Sequence, residues 1–318
     1  MGEDNGDQMK TFFLVSLLCS TAIAQSDPGS FARVGLNAKG MSLGNSISAA
    51  TSGNVYTYYN PALASFQDGG SVAASVTLLS LDRQLNVLTY TQGLKPTAGL
   101  SLGIINATVS NIPETDIDGV QTGNLSTSEN LFFFSFSNKF TENFSLGLSL
   151  KVYYYSLYPG ISSTSIGFDL GGLYKVNDFL SLAVVATDLG EEYHWDSSSL
   201  YDTDGSNFRT PFPHIFKIGA ACRLPVMNSS ITAEYDISKS SSLNGIKAGL
   251  EIYPIDILSI RGGFFAGNQE NVGTKVSPTF GFGTKVSFLG VAPEINYAYV
   301  AEPFTPYGIQ TISLIFGF

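Results

Sequence analysis

The sequence predicts an all-β fold, a fourteen-stranded antiparallel transmembrane β-barrel, and three observations carry that reading. Of 318 residues, 44% are hydrophobic and only 13% charged, where soluble domains carry roughly 25% charge. After the N-terminus no apolar run reaches the about 18 residues of a membrane helix, although the chain has 33 Gly, 23 Phe and 16 Tyr. From residue 71 onward the chain repeats segments of about 10 residues that alternate apolar with polar or small, as barrel strands do. The formal net charge of -10 excludes a nucleic-acid partner, because phosphate neutralisation needs a basic footprint. Two cysteines, Cys19 and Cys222, cannot build a disulfide framework or a Cys-based zinc site.

The first element is a signal peptide over residues 1 to 24, with Met9 as the expected start and cleavage before Gln25. Lys10, the apolar stretch from Phe12 to Leu18 and the small-x-small end Ala22-Ile23-Ala24 have the layout of a secretory leader. Cys19 invites a lipid anchor, but Leu18 stands where that chemistry wants a small residue. Residues 25 to 70 form a second unit, rich in Gly, Ala and Ser, that does not alternate and stops sharply at Asn60-Pro61. The barrel unit is 71 to 318.

Fourteen strands are expected there, at 72–80, 84–93, 97–109, 130–139, 143–157, 164–176, 179–189, 214–224, 229–238, 245–253, 257–266, 277–288, 291–300 and 309–318. Their connections fall into two alternating sets. Short turns lie near Lys95-Pro96, Thr141-Glu142, Asn177-Asp178, Pro225, Pro254-Ile255 and Gly290, whereas the longest gaps are 110–129 and 190–213. Outer-membrane barrels pair short periplasmic turns with longer external loops, and an even strand count puts both termini in the periplasm.

Period two assigns the faces. In the fifth strand Leu146, Leu148, Leu150, Val152 and Tyr154 oppose Ser145, Gly147, Ser149, Lys151 and Tyr153. The same parity places Lys151, Asp169, Lys175, Lys217, Arg223, Glu234, Asp236, Lys247, Glu251, Arg261, Lys285 and Glu294 on the polar, lumen-facing side. Seven of these are basic and five acidic, the near balance that mutual pairing in a filled barrel needs. Alternation alone does not tell an inside-out barrel from a soluble one. The leader, the aromatics at strand ends (Tyr153 to Tyr155, Phe264-Phe265, Tyr297, Tyr299), read as interfacial girdles, and the strand that closes the chain decide for the membrane. In that last strand Ile312, Leu314, Phe316 and Phe318 alternate with Thr311, Ser313, Ile315 and Gly317, and Phe316 and Phe318 look like the signal read by the bacterial barrel-assembly machinery.

Two stretches carry a family resemblance: Gly40-Met41-Ser42-Leu43-Gly44, and the box Tyr58-Tyr59-Asn60-Pro61-Ala62-Leu63. Together with residues 109 to 137 and the strand count they resemble FadL-type barrels, most nearly the PorV/PorQ branch. The resemblance covers nearly all of the chain after the leader. It implies a barrel whose small, helical N-terminal segment plugs or lines the lumen, with Tyr59, Asn60, Pro61 and Ala62 as its box. The chain is shorter than typical fatty-acid transporters, and no ligand-contacting residue of theirs can be matched to it.

Other motifs have plainer readings. Gly40 to Gly44 also spells the Gly-x-Ser-x-Gly of a hydrolase elbow, but no strand precedes it and only His194 and His214 could serve as base. Asp116-Ile117-Asp118-Gly119 and Asp202-Thr203-Asp204-Gly205 resemble calcium-loop fragments without the later bidentate Glu, and read as turns in external loops. No metal and no cofactor is expected, although the six acids from Asp188 to Asp204, with no Lys or Arg among them, leave a weak external cation site open.

The functional expectation is a non-enzymatic bacterial outer-membrane barrel attached, as the resemblance implies, to type IX protein secretion or surface attachment of cargo. The alternative is FadL-like transport of small hydrophobic molecules across the outer membrane; an esterase comes third. Partners follow from this: outer-membrane lipid, the barrel-assembly machinery, and either secretion components with their cargo or hydrophobic small molecules.

Overall fold

The structure, a computed structural model, describes residues 27–51, 56–201, 205–239, 243–269, 273–286, 292–302 and 308–318. The expected leader 1–24 with Met9 and Cys19, residues Asp202 to Asp204 of the second calcium-like string and the turn at Gly290 lie outside them. Fourteen strands close into one antiparallel barrel. They are β1 (Gly70–Leu78), β2 (Arg83–Leu94), β3 (Ala98–Thr115), β4 (Gln121–Lys139), β5 (Phe144–Tyr158), β6 (Ile161–Lys175) and β7 (Leu180–Leu189), then β10 (Ile215–Leu224), β11 (Ser229–Ser238), β12 (Gly245–Ile255), β13 (Leu258–Gln269), β14 (Gly273–Lys285), β15 (Glu294–Val300) and β16 (Ile309–Gly317). Between β7 and β10 an insert carries a separate hairpin, β8 (Glu192–Asp196) and β9 (Asn207–Pro211), with a short helix α3 (Ser198–Tyr201).

Closure is made by the two ends of the barrel chain. Ser71 pairs with Gly317, the Gly70 N–H donates to the Phe318 carbonyl at 2.8 Å, and the Phe318 N–H returns a bond to Gly70 at 2.9 Å. Pairing every edge leaves no backbone group for lipid to strand, which is the condition for a sheet to cross a membrane. The outward face is apolar: Leu146, Leu148 and Leu150 are 45–50% exposed, while Ser145, Ser149 and Lys151 between them are at most 4% exposed. No helix among the described residues is long and apolar enough to cross a membrane.

Two sequence expectations are corrected. The gap 110–129 is not a loop, because β3 and β4 continue their pairing past a bulge between Val109 and Ile112 to Thr115↔Gln121. Only Asp116 to Val120 turn, with the Asp116 carboxylate accepting the N–H groups of Asp118 and Val120 and Gly119 at φ +79°. This ribbon projects into solvent with polar residues on both faces, so no apolar period marks it. The second correction concerns Tyr153 and Tyr155, read as girdle residues. Tyr153 is fully buried and Tyr155 half-buried, because both face inward and stack with Tyr193, Trp195 and Phe212 of the β7–β10 insert.

The N-terminal segment crosses the lumen. It holds α1 (Ser30–Arg33), α2 (Ala38–Ser42) and the 3-10 turns Tyr56–Tyr58 and Pro61–Phe66. Helix α2 packs on β13 to β16 and the turn Pro61–Phe66 on β2 to β6, so opposite walls grip its two ends. Phe31, Leu36, Leu43, Ile47, Ala62 and Leu63 form the apolar core between plug and wall. The approach is close: a Cβ at Gly147 would stand 2.4 Å from the Pro61 carbonyl carbon, and one at Gly171 2.1 Å from the Asn60 side chain. Wall glycines here are places where the plug touches backbone.

Candidate functional site

The Asn-Pro-Ala box is the plug's foot. Asn60 Oδ1 accepts the Ala62 N–H at 3.0 Å, capping the turn Pro61–Phe66, while its Nδ2 donates to Ser48 O at 2.9 Å and to Gly172 O of β6 at 3.3 Å. One side chain thus caps a turn, ties it to the earlier part of the plug and binds the wall. Pro61 sits at the first position of the turn, where its missing N–H costs nothing. The Tyr59 hydroxyl donates to Asn45 Oδ1 at 2.8 Å and accepts the Leu36 N–H at 2.9 Å; that of Tyr58 donates to Ala32 O at 2.8 Å. Burial pushes both phenols well above their ordinary range, so they remain donors.

The inward charges gather into three clusters, each touched by the plug. Lys151 pairs with Asp169 at 2.7 Å and Asp188 at 3.1 Å, and Arg33 of α1 reaches Asp188 at 3.2 Å. Lys247 joins Glu234 at 3.1 Å and Asp236 at 2.5 Å, and the Ser48 N–H points at Glu234 from 3.3 Å. Arg261 meets Glu251 at 2.7 Å, Glu294 at 3.1 Å and Asn296 at 2.6 Å, with Lys39 of α2 on Glu251 at 3.3 Å. Excluding water from an ion pair is costly unless its geometry is complete, and these clusters supply several partners per charge. Lys175, Arg223 and Lys285 instead lie at strand ends near the mouth where the chain terminates. Lys175 stands 5.7 Å from the Phe66 ring, and Arg223 and Lys285 are exposed.

Between the plug and the opposite mouth a chamber of about 570 Å³ remains. The plug contributes Val34, Met41, Tyr58 and Tyr59, and the wall contributes Ile215, Phe265, Val300 and Ile309 as apolar lining. Arg33, Lys151, Asp169, Asp188, Asp236 and Lys247 reach it already paired. Lys217 of β10 also lines it, half-buried, and makes no ion pair or hydrogen bond among the described residues. It is therefore a cation offered to the chamber, with Asp188, Glu234 and Asp236 near enough to feel its charge.

Sequence parity missed Asp188, Glu191 and Arg33. In β7, Ser181, Ala183, Val185 and Thr187 face in, so Asp188 belongs by alternation with Leu182 and Val184 on the lipid side. A bulge between Phe168 and Leu170 in the β6–β7 pairing, with Asp188 at φ +59°, turns both Thr187 and Asp188 inward. The available signal was an acid in a lipid-facing register position, which the membrane does not tolerate unpaired. Three residues on, burial first and the charge of Asp188 second push the Glu191 carboxyl up to about 8.

The hydrolase-like string has a structural role. The Ser42 hydroxyl is fully buried and donates to Lys39 O at 2.9 Å, and a Cβ at Gly40 would meet the Tyr59 hydroxyl at 2.4 Å. His194 is exposed on the insert and bonded to Asn207, and His214 is exposed at the entry to β10. Phe316 faces outward, and the ring of Phe318 stacks on Tyr90 at 6.4 Å.

No protein-family model matches the chain, and no curated protein matches it either. Solved structures do. The toluene transporter TodX of Pseudomonas putida superposes with a TM-score of 0.63 at 14% identity, over 89% of this chain and 99% of that one. The monoaromatic hydrocarbon channel CymD gives 0.60 at 13% identity, over 89% and 96%. A FadL homologue of Pseudomonas aeruginosa gives 0.57 at 12% identity, over 88% and 96%. At these identities the likeness is one of architecture: the chain has the fold of FadL-like channels, a closed fourteen-stranded barrel.

Proposed function

We propose that this protein is an outer-membrane channel that admits small hydrophobic molecules, the second of the two expectations drawn from the sequence. The observation that carries it is the chamber of about 570 Å³ between plug and mouth, apolar in most of its lining and bearing the unpaired ammonium of Lys217. Sites for small molecules have this makeup, an apolar enclosure with a few polar groups that orient the guest. The likeness to hydrocarbon channels favours this reading over attachment to type IX secretion, which the PorV/PorQ resemblance had put first. On this reading the signal peptide and the terminal Phe316 and Phe318 deliver the chain to the assembly machinery of the outer membrane, and the protein performs no chemistry. The test uses two probes, toluene and decanoate, with purified barrel in detergent and in proteoliposomes. Both should bind and cross; Lys217→Gln should weaken decanoate by about tenfold, a loss of roughly 1.4 kcal/mol, and leave toluene unchanged. Binding of neither probe, with recovery of secretion components on purification from the native membrane, would return the export role to first place.

A further inference from the structure

Where β7 gives way to the insert, three carboxylates converge in a way that neither the plug nor passage of a hydrophobic guest requires. Asp169, Asp188 and Glu191 each present one oxygen, and the three lie within 4.8 Å of one another. Glu191 is 2% exposed, and neither of its carboxylate oxygens has a hydrogen-bond partner. A carboxylate in that position is either protonated or joined by a cation, because a buried unpaired charge is not sustained. The wall is shaped to receive it: a Cβ on Gly167 would stand 2.1 Å from Glu191 Cδ, so this strand position is kept bare beneath the side chain.

We propose that Asp169, Asp188 and Glu191 form a binding site for one monovalent metal cation of sodium's size. Charge sets the valence. With Glu191 ionised by the bound metal the three acids bring three negative charges, and the cations within ion-pair distance of them, Lys151 and Arg33, bring two. One positive charge completes the cluster, whereas a divalent ion would overshoot it beside two fixed cations. Spacing sets the size. Oxygens up to 4.8 Å apart fit bonds of about 2.3–2.6 Å on either side of one ion, the range of calcium, whose radius sodium shares. Donor capacity is sufficient, since each carboxylate oxygen has two lone pairs. Asp169 Oδ1 accepts the Asp188 N–H, Asp169 Oδ2 and Asp188 Oδ1 accept Lys151, Asp188 Oδ1 also accepts the Tyr153 hydroxyl, and Asp188 Oδ2 accepts Arg33. One lone pair on three of those four oxygens, and all of those on Glu191, remain for a metal. The Phe212 N–H donates to the Glu191 carbonyl at 3.0 Å, so the ion would fasten both ends of the insert, and Arg33 of the plug, to one wall.

The full chain, purified in detergent at fixed pH and ionic strength, is compared in sodium chloride and in N-methylglucamine chloride. Equilibrium dialysis with radioactive sodium should find one ion per barrel, and the thermal midpoint should rise with the logarithm of sodium concentration. Glu191→Gln and Gly167→Ala should both lose sodium binding and the midpoint's sodium dependence while keeping the gel mobility of the folded barrel. The second variant retains all three acids and removes only the room for one of them. Glu192→Gln, on the half-exposed neighbour paired with Arg209, should keep both properties. Absence of sodium binding in the wild type, its persistence in Glu191→Gln, or binding of calcium in its place would each overturn the proposal.

Discussion

Arg261 shows how much a single lumen side chain decides. Its guanidinium is fully buried and divides its donors among Glu251, Glu294 and Asn296. Removing it leaves Glu251 with Lys39 and the Tyr253 hydroxyl and Glu294 with no described partner, so Arg261→Ala should destabilise the barrel by about 3–5 kcal/mol in reversible urea unfolding. The outward face obeys a different solvent. Leu148 is 49% exposed on the outward face of β5, and Leu148→Arg should cost about 2–4 kcal/mol in lipid vesicles but far less in detergent, which adapts to a charge. Its inward neighbour Ser149 is no permissive contrast, since it is 3% exposed and hydrogen-bonded to Ser135 across the strands. A lumen filled by the plug rejects bulk as firmly as lipid rejects charge.

Among the elements, the β3–β4 ribbon and the β7–β10 insert look alike in sequence, both polar and rich in turn formers, and do opposite things. The ribbon from Ile112 to Leu125 continues a ladder past the barrel rim and buries almost nothing. Replacing residues 112 to 125 by a two-residue Asn-Gly turn should therefore leave unfolding free energy within about 0.5 kcal/mol of the wild type, as surface changes do. The insert instead returns Tyr193, Trp195 and Phe212 to the interior, where they stack on Tyr153 and Tyr155. The sequence shows Tyr193, Trp195 and Phe212 only as members of the gap 190–213, because their destination depends on which wall stands opposite.

At the scale of the molecule the plug sets the state of the lumen. Fourteen strands make a bore too wide for wall side chains alone to fill, and the described residues among 30–66 occupy it. Deleting residues 31 to 60 should raise single-channel conductance in a planar bilayer, with far-UV circular dichroism still reporting the strands. Unchanged conductance in a folded deletion variant would mean that the plug does not obstruct the path. The ion pairs Arg33 to Asp188 and Lys39 to Glu251 hold it from two sides, so loosening is expected to need both released.

The strand count, most strand positions and the alternation of the wall were legible in the sequence for one physical reason. A wall with lipid on one side and a polar lumen on the other must alternate, and β5, with Leu148 out and Ser149 in, writes that rule at every step. Asn60-Pro61 was legible too, because a cap and a fixed φ act within three residues. What tertiary structure alone decided lies where the rule breaks or where partners are remote. The bulge that turns Asp188 inward defeats parity by a single residue, the β3–β4 ribbon has no apolar face to announce it, and the pairing of Arg33 with Asp188 joins residues 155 positions apart. Alternation is a local consequence of the solvent on each side; which charges meet, and what room is left between them, follows from closure of the barrel around its own N-terminus.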